Sequence, residues 1–121
     1  MTVSEFYAAV GGNYAEATGR LMNDALIRRF LLKFPDDKSF SDLRLALSEG
    51  RIDDSFAAAH TLKGVALNLA LTRLSGSAAA LTDALRPQNR GAYREDDAAR
   101  LFTAVENDYS EVLSAIKALG A

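Results

Sequence analysis

The chain contains no cysteine and only one histidine among its 121 residues. The absence of cysteine excludes disulfides and thiolate-bound zinc or iron–sulfur sites, and it fits a reducing compartment. A single histidine also argues against a transition-metal site, because such sites usually combine several imidazoles or thiolates. We therefore expect no cofactor or metal in this chain, although carboxylate-only sites stay open at this point.

Long apolar runs and an excess of one charge are also missing. No uncharged run approaches the roughly 20 apolar residues of a membrane-spanning helix. The segment Met1–Glu5 has no basic region leading into an apolar run, so no secretory signal is predicted. We expect a cytoplasmic protein that does not bind membranes. The net charge of −2, from 14 basic and 16 acidic residues, gives no electrostatic footprint for nucleic acid.

The composition that is present is that of an ordinary globular protein, with 49% apolar and 25% charged residues. A chain of this length can bury one core without disulfides or metals. We predict a single domain over residues 1–121.

Helix signals run along the whole chain. The motifs Thr2-x-x-Glu5 and Asn13-x-x-Glu16 resemble capping boxes and predict two short helices over about residues 2–22. From about residue 23 to 120, apolar residues recur at helical spacing, and no segment alternates with period two. The predicted helical segments run from Asn23 to Pro35, Phe40 to Gly50, Asp53 to about Leu71, Thr72 to Leu85, and Ala98 to Gly120.

Caps and breaks divide these segments. Asn23, Asp53 and Thr72 are the expected N-caps of their helices. The residues from Arg86 to Arg94 form the clearest loop. The break after Leu71 could be a tight turn or a kink. Short connections between apolar-striped helices predict an all-α, antiparallel up-and-down four-helix bundle with additional short N-terminal helices.

His60 lies inside one of these helical segments and on its polar side. At about 100° per residue, the apolar residues of the segment fall about 140° to 240° away from the imidazole. They are Ala58, Leu62, Val65, Ala66 and Leu69. A histidine placed opposite the core is available for chemistry.

Two neighbours on the helix suggest a functional site. Lys63 lies one turn after His60 and can reach toward a charged group near the imidazole. Gly64 costs about 0.5–1 kcal/mol relative to alanine in a helix interior, so a requirement other than helix stability is expected to keep it there. That requirement is either steric access to His60 or a close helix crossing.

The stretch Ala59-His60-Thr61-Leu62-Lys63-Gly64, with Asn68 and Leu74 further on, resembles the signature of histidine-containing phosphotransfer (HPt) domains. The resemblance covers roughly Ala15 to Leu119. Two positions depart from the family's usual residues: Leu67 stands where a small residue is usual, and Ala70 where glycine is usual.

The resemblance implies a helical bundle in a two-component phosphorelay, shuttling a phosphoryl group between His60 and the aspartate of receiver domains. Its partners would be response-regulator receivers and, as a further candidate, a hybrid sensor histidine kinase. The Mg²⁺ and the acidic pocket would belong to the receiver. Lys63 would stabilise phosphoryl charge, and Gly64 would give steric access. We expect a free-standing monomer and, because no Gly-rich phosphate cradle is present, no direct use of ATP.

Four further residues are predicted to contact a partner. Phe56, Leu67 and Leu71 fall within about 40° of the direction of His60 on the predicted helix. The small side chain of Ala57 leaves a shallow surface beside His60. Apolar groups where solvent is expected suggest a docking surface, although burial against the N-terminal helices is the alternative. Asn68 is expected to bond to a neighbouring helix.

Two other functions stay open. The first is a non-catalytic helical-bundle interaction module that binds or sequesters a receiver or kinase domain, and Leu67 is the feature that favours it. The second is an independent enzyme with His60 as general base. The sequence gives little support to an enzyme, because the nearest carboxylate on the same face, Asp53, lies two turns away, about 10 Å along the helix.

Overall fold

A computed structural model describes all 121 residues as seven α-helices and two short 3₁₀ helices, without a strand. The all-α prediction is therefore confirmed. None of the helices is long and apolar enough to cross a membrane. In chain order the helices are α1 (Val3–Val10), α2 (Tyr14–Leu21), α3 (Asp24–Lys33), α4 (Ser39–Ser48), α5 (Ile52–Asn68), α6 (Thr72–Leu85) and α7 (Glu95–Gly120), with 3₁₀ helices at Phe34–Asp36 and Pro87–Ala92.

The first three helices begin at polar caps that the sequence predicts. Thr2 and Glu5 form a reciprocal capping box, with bonds of 2.8 and 3.0 Å between side chain and backbone. Asn13 and Asn23 each accept a hydrogen bond of 2.9 Å from the backbone N–H three residues ahead. These caps satisfy N–H groups that have no partner within the helix. They position short helices that could not persist alone.

Helices α4 to α7 form the four-helix bundle, in which α4 packs on α5, α5 on α6 and α6 on α7. Successive helices that pack together across short connections run antiparallel. Short connections join them, and α7 closes the bundle against α4. Phe40 of α4 stacks on Tyr109 of α7 with ring centroids 3.9 Å apart. On the outside of the same pair, Arg44 forms an ion pair with Glu106 at 3.2 Å. One cluster of buried apolar side chains draws on all seven helices, so α1 to α3 share a core with the bundle.

The end of α5 differs from the prediction. The helix stops at Asn68, three residues before the predicted end at Leu71. Ala70 takes a left-handed conformation with φ of 54°. The N–H of Ala70 then bonds to the carbonyl of Leu67 at 3.0 Å, and the N–H of Leu71 bonds to that of Ala66 at 2.9 Å. This pattern is a Schellman motif, which usually has glycine at the left-handed position. The break is therefore a tight turn.

The predicted N-caps of α5 and α6 are also wrong by one or two residues. Arg51 precedes α5, and Asp53 lies in its first turn, where its carboxylate pairs with Arg90. A carboxylate in the first turn still interacts favourably with the positive end of the helix dipole. Leu71 precedes α6, and Thr72 is its first helical residue.

The N-terminal helices are attached to the α5–α6 turn through backbone hydrogen bonds. The N–H of Asn13 bonds to the carbonyl of Ala70 at 3.0 Å, and the N–H of Arg73 bonds to the carbonyl of Gly11 at 3.1 Å. A Cβ on Gly12 would come within 2.9 Å of the Ala70 carbonyl oxygen, so glycine permits this close approach. The loop between α1 and α2, residues 11–13, thus holds the turn that ends α5, the helix that carries His60.

Candidate functional site

His60 lies near the middle of α5 and is exposed to solvent. The buried residues of α5 are on the opposite side of the helix: Ser55, Ala59, Leu62 and Ala66. The predicted orientation of the imidazole is therefore confirmed. The side-chain hydrogen bonds in this part of α5 come from Ser55 and Thr61 and go to backbone carbonyls, and none reaches a ring nitrogen of His60. Both nitrogens are accordingly free to meet a partner.

Lys63 lies on the next turn of α5 and is half-buried. None of the ion pairs in the structure involves its ammonium group. The lysine stem can lie along the helix while the ammonium stays in water. An unpaired cation on a flexible stem can move to an anion that arrives at His60.

Gly64 borders open space. A Cβ built on this residue would have no heavy atom within 4 Å. A close helix crossing would bring a neighbouring backbone or side chain within that distance. The helix-crossing alternative for Gly64 is therefore wrong. The glycine leaves a shallow region beside His60 that faces solvent.

The predicted docking residues do not share one environment. Ala57 is exposed, Leu67 is 45% exposed, and Phe56 is half-buried against the core. Leu71 is completely buried, so its predicted place on the docking surface is wrong. The helical angle that led to this prediction does not apply to Leu71, because α5 ends at Asn68 and the left-handed turn at Ala70 directs the Leu71 side chain into the core.

A family model for the Hpt domain matches residues 25–115. The chain belongs to the Hpt domain family. The match includes His60 and all four helices of the bundle except the last residues of α7, whereas α1 and α2 lie outside it. The family consists of histidine phosphotransfer domains of phosphorelays, which interact with response-regulator receiver domains. Searches among curated proteins and among solved structures gave no significant match.

The Hpt domain also has a groove between α3 and α5 that the sequence analysis did not predict. Its volume is about 450 Å³. Asn68 lines this groove, is exposed, and makes no side-chain bond to another helix, contrary to expectation. Because the apolar lining comes from different parts of the chain, no single helical pattern could reveal it. That lining consists of Leu21, Phe30, Phe34, Val65 and Leu69.

Arg86 contacts a side chain next to His60 and was not predicted from the sequence. This residue follows the last turn of α6, and its guanidinium carbon lies 5.8 Å from the centroid of the Phe56 ring. The Phe56 ring centroid in turn lies 6.1 Å from that of the His60 imidazole. Arg86 is 26 residues after His60, so the spacing of α5 residues gave no signal for this contact.

No three His, Asp or Glu side chains in the structure come together in a way that could hold a metal ion. The polar groups nearest His60 along α5 are Thr61 and Lys63. The former bonds to the carbonyl of Ala57 at 3.0 Å. The site therefore consists of the His60 imidazole, the mobile ammonium of Lys63, and the unobstructed surface beside them at Gly64.

Proposed function

We propose that this Hpt domain carries a phosphoryl group on His60 between the aspartates of response-regulator receiver domains. A neutral ring nitrogen attacks the phosphorus of a receiver aspartyl phosphate. The N–P bond forms while the P–O bond to the aspartate breaks, and the carboxylate leaves with the electron pair. In the return step, a carboxylate oxygen of a receiver aspartate attacks the same phosphorus. The new P–O bond forms while the N–P bond breaks, and the imidazole, which has kept the proton on its other nitrogen throughout, leaves as the neutral ring.

The observation that supports this proposal best is the state of His60. It is the only histidine in a chain of a histidine phosphotransfer family, its side chain is exposed, and no group in the protein bonds to its ring. A core or structural histidine would be buried and hydrogen-bonded. Free ring nitrogens at the surface suit a group that must meet a second protein.

Lys63 and Gly64 have supporting roles in the proposal. Phosphoryl transfer depends mainly on positioning and on neutralising charge on the three equatorial oxygens. The unpaired ammonium of Lys63 would approach those oxygens and stabilise their charge. Gly64 would let the receiver bring its aspartate close to His60, because no side chain occupies the space next to the imidazole.

The receiver would dock around these residues. The small side chain of Ala57 leaves a shallow surface next to His60. The exposed side chain of Leu67 offers an apolar contact two turns further along α5. Brief complexes of this kind need only a modest interface. We assign the Mg²⁺ of the reaction to the receiver, and we propose that the protein acts as a monomer in the cytoplasm, with a hybrid sensor kinase as a further partner.

The second candidate is an interaction module that binds a receiver or kinase without accepting phosphoryl. The exposed side chain of Leu67 favours it, because a bulky apolar residue one turn beyond Gly64 suits a stable contact as well as a transient one. Both candidates need the same face of α5. They differ in whether a covalent product forms.

The test is transfer of labelled phosphoryl from a panel of phosphorylated receivers to the purified protein. We expect label on the chain that is lost in acid and stable in base, as a phosphoramidate requires. The labelled chain should then pass the label to a second, unphosphorylated receiver. Receivers that bind the protein tightly without ever transferring label would favour the interaction module.

A further inference from the structure

The His60 imidazole has one aromatic neighbour, Phe56, and the ring of Phe56 also contacts an arginine. The Phe56 and His60 rings lie 6.1 Å apart with an angle of 45° between their planes. The Arg86 guanidinium also lies over the Phe56 ring, with its carbon 5.8 Å from the ring centroid. Phe56 thus contacts both His60 and Arg86, and we call these three side chains the Arg86–Phe56–His60 stack.

The imidazole needs such a neighbour because nothing else in the chain fixes its direction. A catalytic histidine is commonly oriented by a carboxylate or carbonyl bonded to its second nitrogen. His60 has no such bond, and the nearest carboxylate on its face, that of Asp53, pairs with Arg90. Without a contact on one side, an exposed ring would rotate among several rotamers. Transfer requires the nitrogen, phosphorus and leaving oxygen to be nearly in line.

We propose that Phe56 is a positioning residue for phosphoryl transfer. Its ring blocks rotation of the His60 imidazole on one side and so directs the imidazole toward the unobstructed surface at Gly64. The inference rests on the proposed function of His60. Aromatic rings at i and i+4 of a helix lie one above the other, so Phe56 contacts His60 within the same helix and needs no partner protein.

Arg86 supports Phe56 in this role. Its Nε bonds to Asp83 Oδ1 at 2.9 Å, and Pro87 follows it directly at the start of a 3₁₀ helix. Both features restrict the arginine, and its guanidinium contributes a cation–π contact to the ring. Phe56 is also packed against the core on its inner side. The phenyl ring is thus held on two sides and can in turn restrict the imidazole.

The decisive variant is Phe56→Leu, which keeps apolar packing but removes the aromatic ring. Phe56→Tyr keeps the aromatic ring and should behave like the parent protein. Phe102→Leu is the matched control, because Phe102 is another half-buried phenylalanine, stacked on Phe40 between α4 and α7. Arg86→Gln is a second, milder variant that leaves Phe56 in place and removes only its support.

The first measurement is the NMR spectrum of the imidazole, which needs no partner and gives one set of signals because His60 is the only histidine. Ring currents from Phe56 act on the imidazole protons at this distance. We expect Phe56→Leu to move the Cδ2–H and Cε1–H signals, Arg86→Gln to move them less, and Phe56→Tyr and Phe102→Leu to leave them near the parental positions.

The second measurement is single-turnover transfer from a phosphorylated receiver over a range of receiver concentrations. A misdirected imidazole lowers the rate at saturation, so we expect Phe56→Leu to reduce that rate by about tenfold with little change in the half-saturating concentration. Arg86→Gln should show a smaller loss, Phe56→Tyr should restore the rate, and Phe102→Leu should match the parent.

Other outcomes would overturn the proposal. A Phe56→Leu protein that needs more receiver but keeps the parental saturating rate would make Phe56 a docking contact instead. Equal losses in Phe56→Leu and Phe102→Leu would reduce the effect to general packing. If even the parent accepts no phosphoryl, the proposed function fails, and unmoved imidazole signals in Phe56→Leu would then reject the stack independently.

Discussion

Tyr7 donates a hydrogen bond from its hydroxyl to the carbonyl oxygen of Leu69 at 2.7 Å, joining α1 to the turn directly after α5. The tyrosine is 1% exposed. Burial raises the pKa of Tyr7 to about 12, so the hydroxyl keeps its proton and remains a donor at neutral pH. A residue outside the matched part of the chain therefore satisfies a carbonyl at the end of the histidine helix.

Removing that hydroxyl should destabilise the fold without touching the site. In Tyr7→Phe the buried Leu69 carbonyl loses its side-chain donor, which costs about 1–3 kcal/mol. Urea denaturation followed by circular dichroism measures the change. Tyr14→Phe is the control, because Tyr14 bonds to Asp24 at an exposed position, and its loss should stay within about 0.5 kcal/mol. Equal effects for the two variants would argue against a special role for the Tyr7 bond.

Leu67 and Leu71 are four residues apart, but truncation to alanine should lower the stability of the protein strongly at Leu71 and very little at Leu67. Leu71 is completely buried, so Leu71→Ala should lower the free energy of unfolding by about 2–5 kcal/mol. Leu67 is 45% exposed, so Leu67→Ala should change stability by less than about 0.5 kcal/mol and weaken receiver binding. Denaturation and a receiver titration on both variants check this. Similar stabilities for the two would show that the α5–α6 turn is placed wrongly.

The helices were largely predictable because their starts depend on local chemistry. Thr2, Asn13 and Asn23 cap their helices through bonds to residues three positions away, and such bonds can be read directly from a sequence. The end of α5 was not predictable in this way. Its left-handed residue is Ala70, where glycine usually marks such turns. A tertiary hydrogen bond from the N–H of Asn13 to the Ala70 carbonyl helps to hold the turn.

The candidate site shows the same difference between features that depend on local sequence and features that depend on tertiary contacts. The exposure of His60 could be predicted, since it depends only on the period of α5 and on which side is apolar. Leu71 was misplaced because the helical period was extended past the end of the helix. Arg86 was missed because the contact with Phe56 forms only when the end of α6 packs against the start of α5, and a single-helix pattern contains no information on that contact.

Gly64 should show stability and activity moving in opposite directions. Gly64→Ala should stabilise the protein by about 0.5–1 kcal/mol, because the methyl group meets no atom and alanine favours the helix. Transfer from a receiver should fall in Gly64→Ala and fall further in Gly64→Leu, since the side chain enters the approach path. Gly76→Ala, at an exposed position of α6 where a Cβ is also unobstructed, is the control and should stabilise the protein without slowing transfer. A stable Gly64→Leu protein with the parental rate would refute the access role.

Lys63 should affect the rate of transfer and leave the fold intact. Lys63→Ala removes the unpaired ammonium near His60, and a slowing of about 10- to 100-fold would correspond to a loss of about 1.4 kcal/mol per tenfold in transition-state stabilisation. Lys117→Ala, at an exposed position on α7, is the control and should transfer normally. Single-turnover rates test this prediction. A parental rate in Lys63→Ala would show that the lysine takes no part in transfer.

The central claim is that His60 itself carries the phosphoryl group, and one substitution tests it most directly. His60→Gln keeps an exposed polar side chain in α5, so the helical circular dichroism should stay unchanged. We predict that a labelled receiver which phosphorylates the parent leaves no label on His60→Gln, because the variant contains no other imidazole. An acid-labile, base-stable label of parental intensity on folded His60→Gln would contradict the account.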